Sequence, residues 1–420
     1  MPWEGIPSRR CASSNRSWPN RGGKPMSAVH ERVLAALERR EPDRVPTFDV
    51  MEEYANIYEI LGRRPFPTGF LFTNRWTSRI VDKTAGLLNR SQIFFAEMDR
   101  FSYDRTEAAV KMGYDAAWVM HVPIWKFQDS KVAVDIYGRQ YDVIVDGRGN
   151  LATPMYKKGL IASPQDWYGW DKRDLFRLPE RANRAFRRIQ KDLGDRIFIM
   201  PGFLFGLFEN TWQPMGFERF AVALRKEKTF VRRVIRFYRD HFCLMLEAWA
   251  DAGVPGAVYT DDMAYRSGPM LPPALMEELY GDAFRHITET AHALGLKIVV
   301  HSCGNVMPLL GWFADCGFDG VHALEPTAGV DLAKVKQLVG DRLCLIGNVD
   351  ITHILVDATR EEVFEAVRKS IAAAGHGGGY MVAPTNSHHT MSVERLRWML
   401  EAVERYGRYP LDLSVPRNPD

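Results

Sequence analysis

Apolar and polar positions alternate along the chain in two rhythms, one of helices and one of short buried strands. From Ser27 to Arg40 the apolar residues Val29, Val33, Leu34 and Leu37 recur at helical spacing, and Pro42 ends the run. A compact apolar run, Val45 to Val50, follows and leads into the acidic string Asp49, Glu52, Glu53, as expected of a strand with polar residues at its exit. Ala116 to His121 and Arg196 to Met200 repeat the pattern, the latter preceded by a basic amphipathic helix predicted over Arg181–Leu193. Between Lys131 and Tyr156 two alternating segments flank Gly138 and the turn residues Asp146-Gly-Arg-Gly149, which predicts an inserted β-hairpin.

The second half is more regular. Gly256–Tyr259 runs into Thr260-Asp-Asp262, and a helix from Pro273 to Leu294 leads to Lys297–Val300 and then His301-Ser-Cys303. Gly320 opens a strand ending in Glu325-Pro326, and a helix over Leu332–Val339 precedes Leu343–Ile346, which exits through Asn348 and Asp350. Thr359 and Glu362 form a capping box for a helix to Ala374. Gly378–Val382 then runs into Asn386, His388 and His389, and a helix over Val393–Tyr406 stops before Pro410. Continuous apolar strands alternating with amphipathic helices mean a parallel sheet covered by helices. A closed barrel and an open doubly wound sheet both satisfy that rule. Polar residues end every late strand rather than one crevice, and no G-x-G-x-x-G follows the first strand, so the expected fold is α/β, a (β/α)8 TIM barrel with an inserted β-hairpin.

Composition changes this picture little. The 420 residues suit one barrel with insertions, spanning about 26–410, with 1–25 as a disordered leader and 411–420 as a tail. A net charge of +3 gives no basic stripe for nucleic acid. No segment is apolar for long enough to span a bilayer, and the Arg-rich first stretch has no apolar core of a secretory signal. Five scattered cysteines point to reduced thiols and a cytoplasmic setting.

Candidate chemistry gathers at the strand exits. His301 and Cys303, one residue apart, can face the same way from an extended segment. From spacing alone they read first as a hydrogen-bonding imidazole and a small buried thiol, and two ligands do not make a zinc site. Asp261-Asp262 offers paired carboxylates for acid-base work, one of which is expected to serve as a cap. Glu325 is aimed by the proline after it, and His322 shares its face. Asp49, Glu52, Tyr265, Asn348, Asp350 and Asn386 complete the polar set, and His388 or His389 would approach His301 in a barrel. Phe203, Phe205, Phe208 and Trp212 serve equally as an apolar pocket or as core.

Several stretches together resemble the uroporphyrinogen decarboxylase superfamily from about Met26 to Pro410: Glu31-Arg-Val-Leu-Ala-Ala-Leu37, Glu41-Pro-Asp-Arg-Val-Pro46, Thr260-Asp-Asp-Met-Ala-Tyr265, His301-Ser-Cys-Gly-Asn-Val306, Gly347-Asn-Val-Asp350 and Gly377-Gly-Gly-Tyr380. The resemblance implies a TIM barrel, and either a porphyrinogen decarboxylase or a cobalamin-dependent methyltransferase. The decarboxylases carry an Arg-Gln-Ala-Gly-Arg motif after the first strand, where this chain has Met51-Glu-Glu-Tyr54. Glutamate there would repel a polycarboxylate. The methyltransferase branch binds zinc through His-x-Cys and a distant cysteine. His301 and Cys303 match the first two ligands, while Asn386, His388 and His389 stand where the third is expected.

The reading that follows is a methyltransferase exchanging a methyl group between a small methylated compound and a corrinoid brought by a partner protein. His301, Cys303 and His388 would hold zinc. Asp262, Glu325 and Asp49 would be catalytic, and Glu52, Tyr265, Asn348, Asp350 and Asn386 would contact substrate. A carboxy-lyase of tetrapyrrole metabolism and a non-catalytic corrinoid or tetrapyrrole binder are the alternatives.

Overall fold

The computed structural model describes residues 26–50, 53–64, 74–90, 93–120, 125–144, 155–202, 205–388 and 390–414. Eight strands form one parallel sheet: β1 (Phe48–Asp49), β2 (Ala116–Met120), β7 (Phe198–Gly202), β8 (Gly256–Thr260), β11 (Lys297–His301), β12 (Gly320–His322), β13 (Cys344–Val349) and β14 (Tyr380–Pro384). Neighbours in the sheet follow chain order, and the last strand meets the first. Thr47 pairs in parallel with Val382, whose N–H donates to Pro46 O at 2.9 Å, so the sheet closes on itself as a TIM barrel.

The continuous apolar runs follow from burial on both faces. Phe48, Trp118, Met200, Val258, Val299, Ile346 and Met381 fill the barrel interior. Val119, Ile199, Ala257, Ile298, Val321, Leu345 and Val382, one position out of phase, pack outward against the helices. Helix Ala28–Leu37, capped by the Ser27 side chain, sends Val33, Ala36 and Leu37 into the inner cluster and so plugs the barrel's N-terminal end. Asp115 secures that end, accepting from Arg32 Nη1 (2.5 Å), Arg44 Nη1 (2.7 Å), Thr47 N (2.8 Å) and Thr47 Oγ1 (3.0 Å). Chemistry is left to the opposite, C-terminal mouth.

Two elements differ from expectation. The predicted hairpin, β4 (Val132–Asp135) and β5 (Arg139–Asp142), is the centre of a four-stranded antiparallel sheet completed by β3 (Trp125–Phe127) and β6 (Met155–Gly159). The part of the hairpin placed at 145–154 lies outside the described residues. The basic helix starts at Arg173 rather than Arg181 and carries Pro179 inside it. Leu175 and Leu178, buried on the apolar face, hold the turn that the proline weakens. A small antiparallel pair, β9 (Ala264–Tyr265) and β10 (Gly268–Pro269), rises beside the mouth. Among the described residues no helix is long and apolar enough to cross a membrane, and four cysteines (243, 303, 316, 344) are free thiols.

Candidate active site

The parallel register of β11 and β12 sets the centre of the site. His301 and His322 are Cα partners at the ends of these strands, and both are buried. Their Nδ1 atoms lie 2.6 Å apart, and His322 Nε2 meets Pro384 O at 2.9 Å. Trp118 packs on the His301 ring at 4.8 Å between centroids, and Phe48 packs on His322 at 5.7 Å. Burial pushes His301 down to about 3, and burial followed by the His301 charge pushes His322 well below the usual imidazole range. Burial thus disfavours the charged form of both rings.

Beyond β11 the chain turns through Ser302, whose hydroxyl accepts from Met263 N at 3.0 Å, to Cys303. Gly304 takes φ +84°, and a side chain there would collide with the Ala264 carbonyl at 2.5 Å, so this turn needs glycine. Cys303 Sγ lies 3.5 Å from His301 Nε2 and receives the Asn386 amide at 3.1 Å. Its backbone N–H donates to Asp262 Oδ1 at 2.8 Å, an oxygen that stands 3.9 Å from His301 Nε2. Asp262, His301 and Cys303 thus offer a carboxylate, an imidazole and a thiol whose ligand atoms all lie within 4.8 Å of one another.

One further carboxyl, that of Glu325, adjoins the three. Glu325 accepts from Gly304 N at 3.1 Å. Leu324, a buried non-glycine residue at φ +60°, makes the turn that brings it there. Burial raises the carboxyls of Asp262 and Glu325, and burial with these two charges raises the Cys303 thiol well above its ordinary value. The site is charged against a thiolate unless a cation enters.

Behind the mouth stands an acid that sequence reasoning did not single out. Glu209 accepts from Asp262 N at 3.2 Å and from Gln213 Nε2 at 2.7 Å, while Gln213 Oε1 accepts from Arg139 Nη1 at 2.7 Å. A hydrogen-bonded chain thereby joins the inserted sheet to the Asp262 backbone. Desolvation, followed by Asp262 and Asp261, raises Glu209 well above the carboxylate range. Asp261 is the capping member of the acidic pair, accepting from Phe208 N (2.8 Å), Glu209 N (3.0 Å) and Tyr259 OH (2.9 Å).

The other predicted residues divide. Asn386 and Glu325 join the cluster. His388 does not: its Nδ1 engages Thr390 Oγ1 at 2.7 Å on an exposed turn, and Asp262 takes the position expected for it beside His301 and Cys303. Asp49 is buried, but β1 turns Phe48 and Val50 into the barrel, and the Asp49 charge acts on the outward-packed phenol of Tyr114. Asn348 Oδ1 accepts from Ser370 Oγ (3.1 Å) on the outer helix Arg360–Ala374. Asp350 caps the next turn through Thr352 N (3.0 Å) and His353 N (3.0 Å). Tyr265 is exposed at the rim. Phe208 is core and Phe205 stacks 3.6 Å over the Arg139 guanidinium. Glu52, His389 and Phe203 lie outside the described residues.

The chain is similar to known proteins in sequence and in fold. The sequence is 27% identical over 165 residues to the methylcobamide:CoM methyltransferase MtaA of Methanosarcina barkeri, covering 38% of this chain and 45% of that protein. It is 26% identical over 214 residues to the uroporphyrinogen decarboxylase of Chlorobium phaeovibrioides (strain DSM 265 / 1930), covering 46% and 56%. The chain spans about half the length of these curated relatives. A solved structure, a methyltransferase from Methanosarcina mazei, aligns over 91% of this chain and 99% of its own with a TM-score of 0.66 at 18% identity, which shows a shared fold. The family model for uroporphyrinogen decarboxylase (URO-D) matches residues 145–406, more than half of the sequence and all of the strand ends from β7 onward, and the chain belongs to that family.

Proposed function

We propose that the protein is a methyltransferase that moves a methyl group between a small methylated compound and a corrinoid carried by a partner protein, at a zinc site formed by His301, Cys303 and Asp262. The observation that carries this reading is the convergence of three chemically suited ligand atoms at the barrel mouth. Three protein ligands and an open position are what a catalytic zinc site requires. Zinc–nitrogen and zinc–sulfur bonds of about 2.0–2.1 and 2.3 Å place the two ligand atoms about 3.6 Å apart across a tetrahedron. His301 Nε2 and Cys303 Sγ are 3.5 Å apart, so this edge is already formed. The 3.9 Å edge to Asp262 needs its carboxylate to close by roughly half an ångström against the tetrahedral value implied by the same bond lengths.

Bound zinc would supply positive charge that keeps the Cys303 sulfur deprotonated and acts as a Lewis acid at a substrate atom. The chain's own groups do the rest. Asn386 donates to Cys303 Sγ and fixes its direction. Glu325, its carboxyl raised by burial, stands beside the site as the group that would pass a proton to the atom that parts from the methyl group. Tyr265 at the rim and the neighbouring loops would meet the small substrate and the corrinoid protein. The relative named as a methylcobamide methyltransferase supports this choice over decarboxylation.

The test is spectroscopic. Purified protein mixed with cob(I)alamin and a panel of methylated O-, N- and S-donors should form methylcobalamin, and with methylcobalamin and thiol acceptors should consume it. Consumption of uroporphyrinogen with no change in the corrinoid spectrum in either direction would replace this reading with a decarboxylase.

A further inference from the structure

The two histidines of the site form a chain whose proton positions are fixed by its far end. The Pro384 carbonyl can only accept, so His322 Nε2, 2.9 Å away, carries a hydrogen. A neutral His322 then has a bare Nδ1, which must accept from the His301 Nδ1 at 2.6 Å. A neutral His301 that donates from Nδ1 has its lone pair on Nε2, the atom 3.5 Å from Cys303 Sγ and 3.9 Å from Asp262 Oδ1. The ring planes are held as well, by Trp118 against His301 and by Phe48 against His322. The rings that meet the pair are those of Phe48 and Trp118, the cross-strand partner of His301 on β8 is the buried Thr260, and Asp262 and Cys303 lie on the Nε2 side.

We propose that His322 is a positioning residue that selects the Nδ1–H tautomer of His301 and so aims the Nε2 lone pair at the ligand position between Cys303 and Asp262. The inference rests on the reading that these three residues hold a divalent cation. Ligand histidines generally donate their second ring nitrogen to an oxygen acceptor. Here the acceptor is another imidazole, relayed one step further to a backbone carbonyl on β14. The relay explains why a fully buried histidine stands beneath the site on the neighbouring strand, where an apolar residue would pack at lower cost.

Two measurements test it separately from the metal reading. In metal-free protein labelled with ¹⁵N-histidine, assigned through His301→Ala and His322→Phe spectra, His301 should be protonated at Nδ1 and His322 at Nε2. An Nε2-protonated His301 in the native protein would overturn the relay whether or not any metal binds. In Co²⁺ titrations followed by visible absorption, His322→Phe should weaken binding by roughly 10- to 100-fold, the usual effect of losing an outer partner. His322→Asn, whose Oδ1 falls where Nδ1 stood and can accept from His301, should restore most of that loss. Wild-type affinity in folded His322→Phe, or no difference between the two variants, would also overturn the relay. Failure of the wild-type protein to bind Co²⁺ would overturn the metal reading and leave the tautomer measurement to decide the relay.

Discussion

Asp262→Asn separates the proposed ligand set, Asp262 with His301 and Cys303, from the one expected of the sequence, in which His388 is the third ligand. The substitution is close to isosteric, and its Oδ1 can still accept from Cys303 N, the 2.8 Å bond that holds the loop. Only the charge and the better ligand oxygen are lost. With a carboxylate oxygen at a bond length of about 2.1 Å from zinc, a dication and a unit negative charge interact by about 16 kcal/mol at an effective dielectric constant of about 20. Desolvation of the carboxylate takes back several kcal/mol. Its side chain is 45% exposed, so solvent screening removes much of the remainder, and the asparagine oxygen still ligates weakly, which leaves a net loss on the order of 3 kcal/mol. That corresponds to roughly a hundredfold loss of Zn²⁺ affinity. Competition against a chromophoric chelator at fixed pH measures it directly, with His388→Ala alongside. The expected outcome is a weakened Asp262→Asn and an unaltered His388→Ala. Wild-type affinity in Asp262→Asn together with a large loss in His388→Ala would refute the assignment.

Two further perturbations probe the frame around the site. His241 is buried within helix Lys228–Ala252, neither ring nitrogen has a partner among the described residues, and burial pushes it down to about 4 from an ordinary value near 6.5. The unfolded chain therefore takes up a proton first as pH falls, and stability is lost between about pH 6.5 and 4, by up to about 1.4 kcal/mol per pH unit. His241→Phe should reduce the slope of urea-unfolding stability over that range, and an unchanged slope would exclude His241 as its source. Gly202→Ala would drive a Cβ into the buried Trp118 indole that packs on His301. It should cost about 1–3 kcal/mol, read from the denaturation midpoint, and an unchanged midpoint would contradict the tight packing.

The barrel was legible because each of its strands is buried on both faces and so writes a continuous apolar run, from Val45–Val50 to Gly378–Val382. Period and phase are different signals, however. The run at Thr47-Phe-Asp-Val50 locates β1, but only the phase, with Phe48 and Val50 inward, shows that Asp49 turns away from the mouth. Helices Tyr54–Leu61, Arg75–Arg90 and Ile93–Met112, between β1 and β2, went unread. Their excursion separates two strands that pair directly, so local spacing does not announce it.

In the site, His301, Cys303, Glu325 and Asn386 follow from strand exits, which a barrel gathers by construction. The place of Asp262 as the proposed third ligand does not, because it depends on how two loops 41 residues apart meet at the Asp262–Cys303 bond. The same reason hid Glu209, whose bond to Asp262 N bridges 53 residues and leaves no local motif. His322 was visible as a neighbour of Glu325, yet its partner is set by the β11–β12 register.

The central claim is that methyl transfer to a corrinoid depends on a zinc ion held through the Cys303 sulfur. It is tested most directly by measuring, in the same preparations of wild type and Cys303→Ala, the zinc bound per chain and the rate of methylcobalamin formation from cob(I)alamin. The account predicts stoichiometric zinc and turnover in the wild type, and loss of both in a folded Cys303→Ala. Methyl transfer that persists in zinc-free Cys303→Ala would contradict it.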